Sequence, residues 1–268
     1  MKIVDRGSGT PVVVIPGIQG RWEWMAPGID ALAQRCRVIT FSLADEPSCG
    51  GRFEESRGFW CYVEQVREAL DVAGVKQAAI CGVSYGGLIA AAFAARYPDR
   101  TSSLVLVSAP PPSWKPEARV KFYLRAPRLL TPLFIIASLR MYPEIAAANA
   151  GVLRGYLAAA RHCWRVVTHM FSPGRMARRV HLLGSVDVRQ ELPRVTKPTL
   201  IITGEPSLDR VVPVGTTREY LRLWPQATGA TIARTGHLGL ITRPAEFASL
   251  VVPFAEHAAE ADARRRVG

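Results

Sequence analysis

The chain has 268 residues, of which 49% are hydrophobic, 21% charged and 8% aromatic. This is enough to bury one large core and is unlike a disordered or low-complexity chain. The net charge of +12 lies mostly between Ser113 and Lys197, where fifteen Lys or Arg face four Asp or Glu. With no nucleic-acid motif beside it, that charge reads as an arginine-rich solvated helical face, and no nucleic-acid partner is expected.

In chain order, Thr10 to Gly17 (TPVVVIPG) is a β-branched run ended by Pro and Gly, the pattern of a strand buried on both faces. Helical character follows before Cys36, and Arg37 to Leu43 (RVITFSL) predicts a second strand. After a polar, Gly-rich loop, Phe59 to Gly74 carries apolar residues at helical spacing and a Gly stop. QAAICGV, ending at Val83, is a third strand, and the Ala-rich segment after it is a helix closed by Pro98. Ser102 to Pro110 is a fourth strand. From Pro111 to about Val195 the patterns are helical, broken by prolines, with no convincing strand. Lys197 to Gly204 predicts a fifth strand, VGTTREYLRLWP a helix, GATIARTG a sixth strand, and the segment from Pro244 a final helix. Strands alternating with helices imply an α/β fold, a mainly parallel open sheet with helices on both faces. The expected organisation is a core of residues 1–110 and 196–268, with residues 111–195 as a helical insertion.

The start of the chain has no basic region, apolar stretch and small-residue cleavage site in succession, so no signal peptide is read there. The longest apolar run, Leu129 to Leu139, contains Pro132 and falls short of the roughly 20 residues of a membrane span, so no integral membrane association is expected. Attachment to a membrane surface through the basic segment is disfavoured by the scatter of its arginines. Five cysteines at irregular spacing, with no C-x-x-C pair, argue for free thiols and a cytoplasmic protein. His162, Cys163 and His169 have no further ligand cluster, so no metal is expected.

The third strand runs into Gly82-Val83-Ser84-Tyr85-Gly86-Gly87 and then a helix. A G-x-S-x-G motif between a buried strand and a helix forms a sharp turn that lifts the serine hydroxyl above the sheet. Side chains two residues to either side would collide in that turn, hence Gly82 and Gly86, while Gly87 allows close helix–strand packing. A serine hydroxyl needs a base, and the base an orienting group.

On this motif, the strand order and the helical segment inserted after the fourth strand, the chain resembles the α/β-hydrolase superfamily, in its serine-nucleophile, capped, esterase-like branch. The resemblance covers nearly the whole chain. It implies an active site at the carboxyl ends of the strands under a helical cap, residues 111–195. It implies a catalytic set of Ser84, an acid and a histidine in that order, and His237 in RTGHLGLITRP matches the family's Gly-His near the last strand. For the acid, Asp209 ahead of Val211-Val212-Pro213 matches the family pattern, with Glu205 as competitor in a loop about two residues longer than the common version. The backbone N–H groups of Ile18 and Tyr85 correspond to the oxyanion hole, although this chain has Pro16-Gly17 where many relatives have His-Gly. Gln19 and Trp22 are expected in the same pocket. The expected activity is hydrolysis of a small or medium hydrophobic carboxylic ester, thioester or lactone, with no cofactor. Carbon–carbon bond hydrolysis and cofactor-free perhydrolysis use the same residues. A non-catalytic ligand-binding role on this fold is disfavoured by the intact Ser, Asp and His. The sequence leaves the oligomeric state open.

Overall fold

The computed structural model describes residues 1–149 and 152–267. Seven strands, β1 (Val4–Arg6), β2 (Thr10–Ile15), β3 (Cys36–Thr40), β4 (Ala78–Val83), β5 (Thr101–Val107), β6 (Thr199–Thr203) and β7 (Ala227–Thr231), form one sheet in the order β1-β3-β2-β4-β5-β6-β7. Every pairing is parallel except β1 with β3. Six strands fall at the predicted segments, the sixth with a shift: β7 begins two residues before the expected Gly229 and ends at Thr231, short of Gly236. β1 was not expected: three residues, two of them charged, carry no buried-strand pattern, and β1 is held at the sheet edge by pairing antiparallel along β3.

The near-continuous apolar strands have a direct cause. Alternate side chains of a strand point to opposite faces, and here helices cover both. Val13, Ile15, Ile80, Leu104 and Leu106 point to one face, where α2 (Trp60–Val72) and α3 (Tyr85–Arg96) follow β3 and β4. Val12, Val14, Cys81, Val105 and Val107 point to the other, against α1 (Ala26–Leu32) and the last helix. All of Tyr85 to Ala95 in α3 is buried, and its alanines let the helix axis sit close to the sheet.

Between β5 and β6 the chain forms α4 (Ala118–Arg125), α5 (Thr131–Ser138), α6 (Tyr142–Ala148), α7 (Val152–Thr168) and α8 (Pro173–Gly184), with short 3-10 turns and no strand among the described residues. After β6 come α9 (Val214–Thr217) and α10 (Glu219–Leu223), where the sequence suggested one helix; the β-branched Thr216 and Thr217 are weak helix formers and the chain breaks at Arg218. Then α11 (Gly239–Thr242) and α12 (Pro244–Val267) close the chain. No described helix is long and apolar enough to cross a membrane, and all five cysteines are free.

One buried ionic cluster fastens α8 to the loops above the sheet. The Arg179 guanidinium is fully buried. Its Nη2 donates to Asp45 Oδ1 and Glu46 Oε1, both at 2.6 Å, and its Nη1 to the Ile18 carbonyl at 2.7 Å. Arg175 adds a bond from Nε to Glu46 Oε1 at 3.0 Å, so two cations face two carboxylates. Gly20 has φ +78°, and a Cβ there would run into that guanidinium. Removing one member of such a buried set strands the charges that remain. Arg179→Met is therefore expected to lower the unfolding free energy by about 3–5 kcal/mol, measured by urea denaturation. A loss below about 1 kcal/mol, the range of an exposed pair, would contradict this picture.

Candidate active site

Ser84 stands between the end of β4 and the start of α3 with φ 52° and ψ −121°, a region that side chains other than glycine rarely occupy. Its N–H donates to the Val107 carbonyl at 2.8 Å, which ties the turn to the neighbouring strand. A Cβ on Gly82 would come within 2.7 Å of the Ala90 Cβ, and one on Gly86 within 2.6 Å of the Pro16 carbonyl oxygen. One on Gly87 would collide with Ala109. Gly82 and Gly86 are thus required sterically for the reason read from the motif, whereas at Gly87 the close neighbour is Ala109, past the end of β5, and not the preceding strand.

His237 reaches the same end of the sheet on the loop after β7. Its Nδ1 lies 3.4 Å from Asp209 Oδ2, at the long end for a hydrogen bond, as such contacts often are before substrate binds. Asp209 is buried, and its Oδ1 accepts the N–H groups of Val211 and Val212, both at 2.9 Å. Burial pushes its carboxyl up, but the hydrogen bond and charge of His237 and the two backbone donors outweigh it, so the group sits below the usual aspartate value and stays ionised. Glu205, the competing acid, accepts the Arg234 N–H at 2.7 Å and shapes the histidine loop instead of contacting the ring. The acid and histidine loops touch backbone to backbone. A Cβ on Gly236 would lie 2.6 Å from the Asp209 nitrogen, and one on Gly204 would strike Gly236.

A cavity of about 500 Å³ opens over these groups, lined by Ser84, Tyr85, His237, Ile18 and Gln19 and by a mainly apolar wall that includes Trp24 and Phe134. Asp209 stands behind the imidazole. Among the described residues no backbone acceptor engages the N–H of Ile18, and that of Tyr85, first in its helix, has no intrahelical acceptor. Trp22 departs from expectation: it is not among the lining residues but packs on the core with the Arg6 guanidinium 5.1 Å from its ring centre. Trp24 is the tryptophan on the cavity, with its indole N–H donating to the His169 carbonyl at 3.0 Å. No group of three or more metal-ligating side chains occurs among the described residues. A second, more open depression beside Leu70, Gly74 and Arg100 holds no nucleophile–base pair.

Glu144 on α6 was not anticipated. It is one of four acids in the basic segment from Ser113 to Lys197, and no motif marks it. Its carboxylate is buried, accepts the N–H of Leu238 next to the histidine, and leaves Oε2 without a partner. Burial raises its pKa to about 7, with the Asp209 charge adding to the rise and the N–H groups of Gly236 and Leu238 and the charge of His237 opposing it. A folded-state value above the unfolded one means that ionisation costs stability as pH rises from the ordinary glutamate range through 7. Glu144→Gln, which keeps an acceptor for Leu238, is expected to raise Tm more at pH 8 than at pH 5. An equal offset at both would contradict the buried-carboxylate assignment.

Residues 12–250 match the family described as the alpha/beta hydrolase family. A putative carbamate hydrolase, RutD, of Azorhizobium caulinodans is 28% identical over 218 residues, covering 77% of this chain and 76% of that protein. A poly(3-hydroxyalkanoate) depolymerase of Ectopseudomonas oleovorans is 29% identical over 255 residues, covering 91% and 84%. Among solved structures, the enol-lactonase of Burkholderia xenovorans LB400 superposes with a TM-score of 0.76 at 20% identity over 94% of this chain and 95% of that one, a likeness of fold.

Proposed function

The chain belongs to the alpha/beta hydrolase family, and from that premise we propose that it is a serine hydrolase cleaving small or medium hydrophobic carboxylic esters through an acyl-enzyme, with residues 111–195 as a cap over the site. The observation that carries this reading is that Ser84, held at a strained turn, and His237, backed by Asp209, line one largely apolar cavity.

In this mechanism Nδ1 of His237 faces Asp209, which leaves Nε2 as the base. As the Ser84 oxygen attacks the ester carbonyl carbon, Nε2 takes its proton. The carbonyl oxygen becomes an oxyanion, and the N–H groups of Ile18 and Tyr85 donate to it. Collapse breaks the bond to the alcohol, which leaves with the proton from His237. Water then attacks the acyl-enzyme, His237 again takes a proton, and collapse returns it to Ser84 as the carboxylic acid departs. Asp209 stays ionised and stabilises the imidazolium formed in both halves. Each oxyanion donor is worth about 2.7–4 kcal/mol in the transition state. The apolar wall favours substrates with hydrocarbon acyl groups.

A second reading rests on the carbamate hydrolase relative. A carbamate presents the same electrophilic carbon to Ser84, so the two differ in substrate and not in machinery. Assays on nitrophenyl esters of increasing acyl length and on aryl carbamates separate them. Wild type is expected to turn over the esters with a maximum at intermediate length, and Ser84→Ala to lose at least about 10³-fold in kcat/KM. Equal rates in the two proteins would refute the serine mechanism, and turnover of carbamates alone would favour the second reading.

A further inference from the structure

We propose that the outer face of the segment between β5 and β6 docks on an anionic lipid surface. Twelve of the fourteen large apolar side chains that are exposed among the described residues lie between Phe122 and Met170. In and beside α5 they form a stripe: Leu129, Leu133, Ile136 and Leu139 follow one another at intervals of four, three and three residues, so they share one side of the helix. Leu129 is 80% exposed and Leu139 71%. The same short helix gives Phe134, Ala137 and Ser138 to the cavity. It is therefore a wall that is apolar toward the site and apolar toward the outside, and an outer face of that kind has no stable partner in water.

The arginines of this segment are scattered along the sequence, which speaks against a membrane surface, but the exposed Arg125 and Arg128 directly precede an exposed apolar stripe that the sequence pattern did not show, and the charges nearby say what partner fits. Between Lys115 and Arg165 the chain has nine Lys or Arg against Glu117 and the buried Glu144. None of the described cations in this stretch forms a salt bridge. By contrast Arg175, Arg178, Arg179, Arg189 and Arg194, later in the same insertion, are all paired. A second copy of the chain would bring one unpaired cationic face against another. An acidic protein would meet the cations but leave the aliphatic stripe facing a polar surface. An anionic bilayer meets both, because leucine and isoleucine enter the acyl boundary while the exposed Arg125 and Arg128 reach phosphate oxygens through their flexible stems. Docked in this way, α5 separates the bilayer from the cavity, and lipophilic esters would reach the site from the membrane.

The proposal does not depend on the catalytic reading, and vesicle co-sedimentation tests it separately. Wild type is expected to bind mixed phosphatidylcholine–phosphatidylglycerol vesicles about 10-fold more than pure phosphatidylcholine at low salt. The difference should collapse between about 0.1 M and 1 M salt, where the screening length falls from ~10 Å to ~3 Å. Leu133→Ser/Ile136→Ser and Arg125→Gln/Arg128→Gln, all solvent-facing changes, should each cut binding several-fold while leaving the circular dichroism spectrum unchanged, and Ser84→Ala should bind like wild type. Absence of binding at low salt, equal binding to neutral vesicles, or full binding by the apolar double variant would overturn it. So would a dimer in light scattering that Ile136→Ser dissociates, or binding to polyglutamate with none to vesicles.

Discussion

The backbone at Ser84 is the constraint from which the site is built. A positive φ at a serine is unfavourable in isolation and persists only where the surroundings over-determine it. Here the N–H is held by Val107, Gly82 and Gly86 clear the two flanks, and α3 is pinned against the sheet by a fully buried apolar run. Without glycine at either flank, the Ala90 side chain or the Pro16 carbonyl would push the turn open. The other non-glycine residues with positive φ among those described, Ser108 and Arg234, also follow carboxyl ends of strands, after β5 and β7. Strain is thus gathered at the edge of the sheet where the cavity opens.

Around that turn the remaining groups are assembled from distant parts of the chain by two physical means. One is bare backbone: Gly204 and Gly236 let the acid and histidine loops lie against each other, which brings Asp209 to the imidazole. The other is buried charge. Arg179 grips Asp45, Glu46 and the Ile18 carbonyl, and its own carbonyl accepts the Tyr85 hydroxyl at 3.2 Å, so one residue of α8 bonds to both residues whose N–H groups are the candidate oxyanion donors. The two carboxylates nearest His237 are driven apart: Asp209, with backbone donors and the imidazole, is held ionised, while Glu144, with half its carboxylate unpartnered, is pushed toward the neutral form.

What the sequence revealed follows from where the information is local. Four strands, β2, β4, β5 and β6, were legible because each is an apolar run ended by Gly or Pro, and Ser84 because the steric demand of the turn is written within six residues. Asp209 and His237 came from a resemblance; only their contact separates Asp209 from Glu205. β1 was missed because its stability comes from pairing along β3 and not from its own residues. One helix was expected where Thr216 and Thr217 break it into two. Trp22 and Trp24 are two residues apart, and a 3-10 turn over Trp22–Met25 decides which faces the cavity. Glu144 and Arg179 act through partners about 90 to 160 positions away, Leu238, Ile18, Asp45 and Glu46, and no local pattern announces such contacts.

The proposed mechanism stands or falls on Ser84, His237 and the N–H groups of Ile18 and Tyr85 acting together on one substrate carbonyl group. A crystal structure of the protein inactivated by an alkyl phosphonate tests it most directly. The phosphorus is expected on the Ser84 oxygen, with the phosphoryl oxygen about 2.7–3.1 Å from the nitrogens of both Ile18 and Tyr85 and His237 Nε2 beside the serine oxygen. An unmodified Ser84, or a phosphoryl oxygen turned away from both nitrogens, would contradict it.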